Sequence, residues 1–258
     1  MTGTQPLHHA AAQGFAAGAD SYVRGRPDYP AEVDGWLGET IGLGPGRRVV
    51  DLGAGTGKFT ARLADTGAEV LAIEPVDAMR AKLREALPHV HAMAGAAEAM
   101  PLPDESVDAV VCAQSFHWFA HAAALTEIRR VLKPVGRLGL IWNQRDERVD
   151  WVARLGRLVG RHEGDAPRAH KGTWRAAFPA TGFGPLERVD FALAHSGPAE
   201  DVIVARVLST SFVAALPQGE KDRLVADLHR LIAAEPELAG KAVVNVPYTT
   251  EAYCALRL

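Results

Sequence analysis

Short apolar runs alternate with longer amphipathic segments from residue 48 to residue 142 of this 258-residue chain. The runs are rich in valine, isoleucine and leucine, which predicts buried β-strands. The segments between them repeat apolar residues at helical spacing, which predicts α-helices. Strands that alternate with helices predict a parallel sheet with helices on both faces. The predicted strands are 48–52, 69–74, 90–94, 107–112 and 137–142, and the predicted helices are 57–65, 77–86 and 120–132.

The flanks of this region have a different rhythm. Upstream, apolar residues at helical spacing predict a helix over residues 31–41, which Gly44-Pro45-Gly46 ends. We therefore expect an N-terminal helical segment over residues 1–44 and a main domain over residues 45–258. Downstream, the pattern predicts helices at 150–160, 173–178, 198–209 and 219–234, a sixth strand at 186–194, and a last strand from 243–246 and 250–256 that runs antiparallel at the sheet edge.

The segment Lys133-Pro134-Val135-Gly136 forms the turn into the fifth predicted strand. Valine tolerates a positive φ poorly because of its branched Cβ. A type I turn is therefore expected here rather than a type II turn, which needs a positive φ at its third position.

The most informative segment joins the first predicted strand to the first predicted helix. Asp51 stands at the strand tip, and Gly53, Gly55 and Gly57 follow at alternate positions. Glycine lets a backbone adopt positive φ and approach a ligand closely. The helix that follows directs its free N–H groups and its positive dipole end at that ligand. Together these features predict a nucleotide-type pocket at the carboxyl edge of the sheet.

Spacing and charge narrow the choice of ligand. The dinucleotide fingerprint needs G-x-G-x-x-G, whereas this chain has G-x-G-x-G, so a nicotinamide oxidoreductase is disfavoured. Asp51 would repel a pyrophosphate but suits an ammonium group, which points to S-adenosylmethionine. Glu74, at the tip of the second strand, is placed to chelate the ribose hydroxyls. The alternatives are a strand-end cap for Asp51 and an exposed strand-end acid for Glu74.

Composition and charge exclude other classes of function. The net charge is −3 and no long Lys/Arg run occurs, so we do not expect a nucleic acid as substrate. Cys112 lies in an apolar strand and is expected to be a small core residue, and no Cys/His cluster predicts a metal site. We find neither a signal-peptide pattern nor an apolar span of about 20 residues, so we expect a cytoplasmic protein with no membrane partner. The oligomeric state stays open.

The motifs resemble those of the class I S-adenosylmethionine-dependent methyltransferases, in the form of a methyltransferase type 11 domain. The match covers residues 45–143 and runs through the glycine segment, Glu74, AGAAEAMPLPD (94–104), DAVVC (108–112) and LKPVG (132–136). The flanks resemble a small-molecule subgroup that includes the trans-aconitate type. The matching pieces there are YVRGRPDYP (22–30), QSFHWF (114–119) and PYTTE (247–251).

This resemblance implies a Rossmann-like α/β fold and S-adenosyl-L-methionine as the cofactor. The fold has a seven-stranded, mostly parallel sheet with helices on both faces, an antiparallel last strand and a helical cap inserted at residues 198–236. Because Ala96 or Ala97 stands where the family commonly has an adenine-reading Asp, we expect the Ala97 N–H and Glu98 to read the adenine. The implied cofactor-binding residues are Tyr22, Arg26, Asp51, Gly53, Ala54, Gly55, Thr56, Gly57, Glu74, Pro75, Met79, Ala97, Glu98, Gln114, Ser115 and Trp118.

Methyl transfer from a sulfonium needs no leaving-group acid, because the leaving sulfur becomes neutral. Positioning and the exclusion of water supply the acceleration, and a base is needed only if the acceptor carries a proton at neutral pH. His117 is the candidate catalytic residue, as a base or as a hydrogen-bonding partner of the substrate. Alternatively, it packs between Phe116 and Trp118 as part of an aromatic wall.

The expected function is methyl transfer to a small molecule, with oxygen as the acceptor atom. Arg26, His117 and Arg145 suit an acidic or phenolic acceptor, although Arg26 and Arg145 are alternatively surface charges. Trp142 and Asn143 are also expected to face the acceptor, and Tyr248 to do no more than fill the sheet edge. Two further functions stay open: transfer to carbon on the same fold, and a non-catalytic protein that binds the cofactor.

Overall fold

A seven-stranded sheet forms the centre of the computed structural model, which describes residues 26–258. Tyr22 lies outside the described residues. The strand order is β3-β2-β1-β4-β5-β7-β6. Strands β1 to β5 run parallel, and β7 runs antiparallel to both of its neighbours. The strands are β1 (Arg48–Leu52), β2 (Glu69–Ile73), β3 (His91–Met93), β4 (Val107–Ala113), β5 (Leu132–Arg145), β6 (Glu187–Gly197) and β7 (Val244–Leu256).

Helices connect the strands and form a separate group between β6 and β7. The α-helices are α1 (Glu32–Gly35), α2 (Lys58–Asp65), α3 (Asp77–Ala86), α4 (Ala122–Val131), α5 (Asp150–Gly160), α6 (Arg206–Leu208), α7 (Ser211–Ala214) and α8 (Gln218–Ala234). Helix α1 continues as a π-helix (Trp36–Thr40), and a second π-helix (Glu200–Ala205) precedes α6. Short 3₁₀ turns occur at Phe116–Trp118, Ala169–Lys171 and Thr173–Ala177.

The central strands are buried on both faces, as expected for parallel strands covered by helices. Val49 and Val50 are both fully buried, although successive strand residues point to opposite faces. Val49 packs with residues of α1, α2 and α3, whereas Val50 packs with residues of α4. This packing confirms the predicted fold class, with helices on both faces of a mostly parallel sheet.

The predicted position of the last strand at the sheet edge is wrong. Strand β7 lies between β5 and β6, and β6 forms the edge. The burial pattern explains the difference, because four consecutive residues of β7, from Ala252 to Ala255, are buried. Burial on both faces is typical of an inner strand, whereas β6 is exposed or half-buried along its whole length.

The type I turn predicted before the fifth strand is also wrong, because Val135 adopts a φ of +57°. The pairing of β5 with β4 explains this geometry. Leu132 pairs with Val107 and Arg137 pairs with Ala109, so extra residues of β5 must loop out between the two pairs. The Val135 side chain is 73% exposed, so side-chain burial contributes little to holding this unfavourable conformation.

The strand order creates a crevice at the carboxyl ends of β1 and β4. Strand β1 pairs with β2 on one side and with β4 on the other. The connections from β1 and β4 therefore leave in different directions, and ligands of open α/β sheets bind where this happens. Within residues 26–258, no helix has the length and apolar character needed to cross a membrane.

Candidate functional site

The loop after β1 is folded tightly against neighbouring strand ends. The backbone N–H groups of Gly53 and Ala54 both donate to the Ile73 carbonyl, at 2.8 and 3.1 Å. Gly53 has a φ of +73°, and a Cβ on it would lie 2.7 Å from the Ser115 Cβ. Gly57 has a φ of +90° immediately before α2. These two positions need glycine because of their positive φ, and at Gly53 also because of the close approach of Ser115. No side chain of Gly53 or Gly57 therefore covers the loop backbone next to the crevice.

Asp51 is fully buried beneath this loop. Its Oδ2 accepts a hydrogen bond from the Thr60 hydroxyl at 2.6 Å, whereas its Oδ1 has no partner among residues 26–258. Burial raises the pKa of this carboxyl from 3.8 to about 7, with the Thr60 hydrogen bond opposing the rise. A buried carboxylate oxygen with no partner fits a cationic ligand group such as an ammonium.

Glu74 is also buried, which excludes the exposed-acid alternative. One carboxylate oxygen accepts the Gly55 N–H and the other accepts the Val76 N–H, both at 2.8 Å. Burial raises the pKa of this group, and the two backbone hydrogen bonds oppose the rise. The side chain therefore ties the glycine loop to the tip of β2, and each oxygen keeps further capacity to accept a ligand hydroxyl.

The residues predicted around the adenine lie on neighbouring elements. Met79 is buried in α3, with its sulfur 3.9 Å from the position that a Cβ on Gly55 would take, whereas Pro75 is exposed. Ala97 is buried after β3. The carboxylate of Glu98 lies 2.8 Å from the His121 imidazole, so it joins the segment after β3 to the segment after β4.

The segment after β4 is held against the glycine loop. Gln114 adopts a φ of +59°, and its N–H donates to the Ile141 carbonyl at 2.9 Å. The Ser115 hydroxyl donates to the Leu52 carbonyl at 2.6 Å, so this side chain stabilises the loop. The predicted cofactor residues that line one small compartment beside the loop are Arg26, Asp51, Gly53, Ala54, Thr56 and Gln114.

The N-terminal strap, residues 26–30, closes this compartment on one side. Lys58 Nζ donates to the Arg26 carbonyl at 2.5 Å. The Asn143 side-chain amide donates to the Asp28 carbonyl at 3.0 Å. The strap is thus fixed to both the start of α2 and the end of β5, next to the glycine loop.

A larger cavity of about 460 Å³ adjoins the small compartment. Arg26, Gln114, Asn143 and Arg206 line both spaces, so the two lie next to each other at these residues. Other walls come from α5, from the loop around residues 163–175 and from the helices between β6 and β7. Asn143 and Arg145, which were predicted to face the acceptor, line this cavity, and so does Tyr248.

Arginine dominates the charge of this cavity. Its lining contains six arginines and three glutamates. Glu163 is paired with Lys171 at 2.9 Å, and Glu251 is paired with Arg188 at 3.1 Å, so two of the acids are already neutralised. No carboxylate of residues 26–258 forms an ion pair with Arg145, Arg168 or Arg206.

Burial and, second to it, the neighbouring positive charges shift the pKa values of these groups. Burial and repulsion from the neighbouring arginines lower the pKa of Arg206 to about 9 and that of Arg168 to about 10. Burial opposes ionisation of Tyr248, but the charges of Arg145 and Arg206 outweigh it and lower the pKa of the phenol. The cavity therefore favours negative charge.

His117 lines the same cavity at the 3₁₀ turn after β4. Its Nδ1 accepts a hydrogen bond from the Trp142 indole N–H at 3.1 Å. Burial, together with the charges of Arg168 and Arg26, lowers the pKa of His117 well below 6.5. Trp142 itself is fully buried below the cavity wall, so it supports His117 instead of facing the acceptor as predicted.

Sequence reasoning missed Arg168 and Arg206 and underestimated Tyr248. Arg168 lies in a loop without periodicity, and nothing local indicated its role. Arg206 had a signal, because it is the one charged residue in the apolar run 202–208. Cys112 is a fully buried core residue, as predicted. Among residues 26–258, no group of three or more His, Cys, Asp or Glu side chains is placed to hold a metal ion.

Comparison with known proteins agrees with this geometry. Residues 50–140 match the profile of the family described as "Methyltransferase domain". An uncharacterised methyltransferase-like protein of Schizosaccharomyces pombe is 38% identical over 240 residues, which cover 93% of each chain. The chain belongs to the class I S-adenosylmethionine-dependent methyltransferases.

Two further methyltransferases are similar to this one. The solved structure of a proposed type II methyltransferase from Anaeromyxobacter dehalogenans has a TM-score of 0.62 and 26% identity, and the match covers 90% of this chain and 96% of that one. A malonyl-[acyl-carrier protein] O-methyltransferase of Methylococcus capsulatus is 38% identical over 136 residues, which cover 48% of each chain.

Proposed function

We propose that this methyltransferase transfers the methyl group of S-adenosylmethionine to a carboxylate oxygen of a small anionic molecule. The observation that carries the proposal is the arginine-rich cavity that adjoins the compartment of the glycine loop. Oxygen as the acceptor atom is also supported by the similarity to the Methylococcus capsulatus protein, whose name is that of an O-methyltransferase.

Residues around the glycine loop fit the parts of the cofactor. The Asp51 oxygen that has no partner among residues 26–258 suits the ammonium group. The carboxylate of Glu74 keeps acceptor capacity for the ribose hydroxyls beside Gly55. Arg26 lines the compartment and suits the carboxylate end. When bound, the cofactor supplies a methyl group on a positively charged sulfur.

The cavity charge favours an anionic acceptor. Arginines without counter-ions are costly to bury. Arg145, Arg168 and Arg206 lie around one space, and none of them forms an ion pair with a carboxylate of residues 26–258, although the charge of Glu163 partly offsets that of Arg168. An acceptor that carries carboxylates would offset this repulsion and form charge-assisted hydrogen bonds.

A carboxylate acceptor also agrees with the acid–base properties of the cavity. A carboxylate is already deprotonated at neutral pH, so the transfer requires no base. Its oxygen forms a bond to the methyl carbon as the carbon–sulfur bond breaks, and the bonding pair returns to sulfur. The protein then has to bind the acceptor, orient it and exclude water.

The proposal is tested with methyl-labelled cofactor and a panel of small acids, their neutral amides and phenols. We expect labelled methyl esters, which alkali hydrolyses to methanol, from acids alone. In Arg206→Gln we expect the KM for the acid to rise about 10- to 100-fold, because a charge-assisted hydrogen bond contributes about 1.5–3 kcal/mol. Arg148→Gln, at an exposed arginine paired with Asp146, is the matched control.

Three outcomes would contradict the proposal. Alkali-stable label would indicate transfer to carbon, to nitrogen or to a phenol oxygen instead of a carboxylate. Cofactor binding without transfer to any compound would favour a non-catalytic binding protein. An equal KM in Arg206→Gln and Arg148→Gln would show that Arg206 does not bind the acceptor.

A further inference from the structure

A buried indole N–H donates a hydrogen bond to His117 and thereby determines which imidazole nitrogen carries the proton. The Trp142 indole can only donate, and its N–H lies 3.1 Å from His117 Nδ1. Nδ1 must therefore be the unprotonated nitrogen. In a neutral imidazole the proton then resides on Nε2, which makes that nitrogen a donor.

The surroundings of His117 keep the ring neutral. Arg168, Arg26 and His170 are the charged or titratable groups that act on it, and each opposes protonation. Among residues 26–258, Trp118 and Trp142 are aromatic neighbours of His117, with ring centroids 5.2 and 6.4 Å from the imidazole. Neither a general base at Nε2 nor a cationic imidazolium fits this environment.

Trp142 is held rigidly enough to impose this arrangement. It is fully buried in β5, and its ring packs on Trp174 at a centroid distance of 4.5 Å and on Tyr253 at 5.9 Å. A rotation of the indole away from His117 would disrupt this packing. The donor geometry is thus a property of the core.

We propose that Trp142 is a positioning residue that fixes the Nε2–H tautomer of His117, so that His117 donates a hydrogen bond to the acceptor carboxylate instead of removing a proton. Donation to the non-reacting oxygen would orient the reacting oxygen toward the methyl group. The role in catalysis rests on the proposed function, whereas the tautomer itself is a property of the free protein.

Nitrogen NMR of protein labelled at histidine tests the tautomer without any acceptor. The chain contains ten histidines, so the His117 signals are assigned by their loss in His117→Gln. We expect an unprotonated Nδ1 and a protonated Nε2 from pH 6 to pH 8. A proton on Nδ1, or an imidazolium at pH 7, would overturn the proposal even if the acceptor is correctly identified.

Substitution of Trp142 has a matched control in the same aromatic cluster. Trp142→Phe removes the donor to His117, whereas Trp174→Phe removes an equally buried indole that donates instead to the Ala169 carbonyl. We expect Trp142→Phe to give a mixture of His117 tautomers and Trp174→Phe to keep the Nε2–H form. Identical His117 spectra in the two variants would contradict the role of Trp142.

Activity separates a donor from a base once an acceptor is known. The Gln side-chain amide reaches about as far as Nε2 and can donate, whereas the shorter Asn amide reaches only about as far as Nδ1. We expect His117→Gln to keep most of the activity that His117→Ala and His117→Asn lose. We also expect kcat to stay independent of pH between 6 and 8.

Equal loss of activity in all three variants would indicate that His117 acts as a base. Failure to methylate any acid, with the tautomer as expected, would count against the proposed function alone.

Discussion

Asp51 occupies a position where burial makes its negative charge unfavourable in the free protein. The side chain is fully buried, and one of its two oxygens has no hydrogen-bond partner in the described chain. Because the folded protein holds the Asp51 proton more tightly than the unfolded chain does, this group contributes stability at low pH. That contribution decreases as pH rises from 3.8 toward about 7. A bound ammonium would favour the charged form and release the proton.

Asp51→Asn tests this linkage through stability. Between pH 5 and pH 8, we expect the unfolding free energy of the unliganded wild type to fall by about 2–3 kcal/mol relative to the variant. Urea denaturation at the two pH values measures the difference. Asp65→Asn, at an exposed aspartate of α2, is the control and should change in parallel with the wild type. If the unfolding free energies of wild type and Asp51→Asn changed equally between pH 5 and pH 8, the pKa of the Asp51 carboxyl would not be raised in the folded protein.

At the scale of the elements, the turn before the main part of β5 holds an unfavourable backbone conformation. Val135 adopts a φ of +57° with its side chain exposed. Glycine adopts this conformation without a steric cost, whereas other residues lose about 1–2 kcal/mol there. Glycine also makes the unfolded chain more flexible, which offsets part of the gain.

Val135→Gly should therefore stabilise the protein by about 1 kcal/mol, seen as a rise in Tm of about 2–4 °C. Val243→Gly is the matched control, because Val243 is also exposed but has no positive φ. We expect that variant to be neutral or less stable. A loss of stability in Val135→Gly would mean that the valine side chain contributes contacts that outweigh the strain.

The elements also show what local patterns can and cannot predict. Strands β1 to β4 were predictable because each is a short apolar run with a periodic helix before or after it, so burial and periodicity agree. The positions of β6 and β7 were not, because strand order depends on pairing between residues far apart in sequence, such as Gly139 with Cys254. The positive φ of Val135 likewise depends on the register between β5 and β4.

At the scale of the whole molecule, the site joins parts of the chain that differ in how well they could be predicted. The glycine loop and Glu74 were accessible because spacing and charge coincide at two adjacent strand ends. The arginine-rich cavity was not, because its cations come from a loop and from the helices between β6 and β7. Arg168 and Arg206 have no sequence spacing that relates them, and only the fold places them around one space.

Because the fold brings distant parts of the chain together at the glycine loop, we expect the cofactor to stabilise the entire fold. A ligand that contacts the glycine loop, the tip of β2 and the strap binds the folded state alone, and at 100 times its Kd it stabilises by about 2.7 kcal/mol. S-adenosylhomocysteine, the demethylated product, should therefore raise the Tm by several degrees, since 1 kcal/mol corresponds to about 2–4 °C in a chain of this size. Glu74→Gln should remove most of this increase in Tm, because the neutral amide is a weaker acceptor for ribose hydroxyls. Glu69→Gln, at the exposed opposite end of β2, should show the same increase in Tm as the wild type. Differential scanning fluorimetry with both variants measures the effect, and an increase that survives in Glu74→Gln would place the ribose elsewhere.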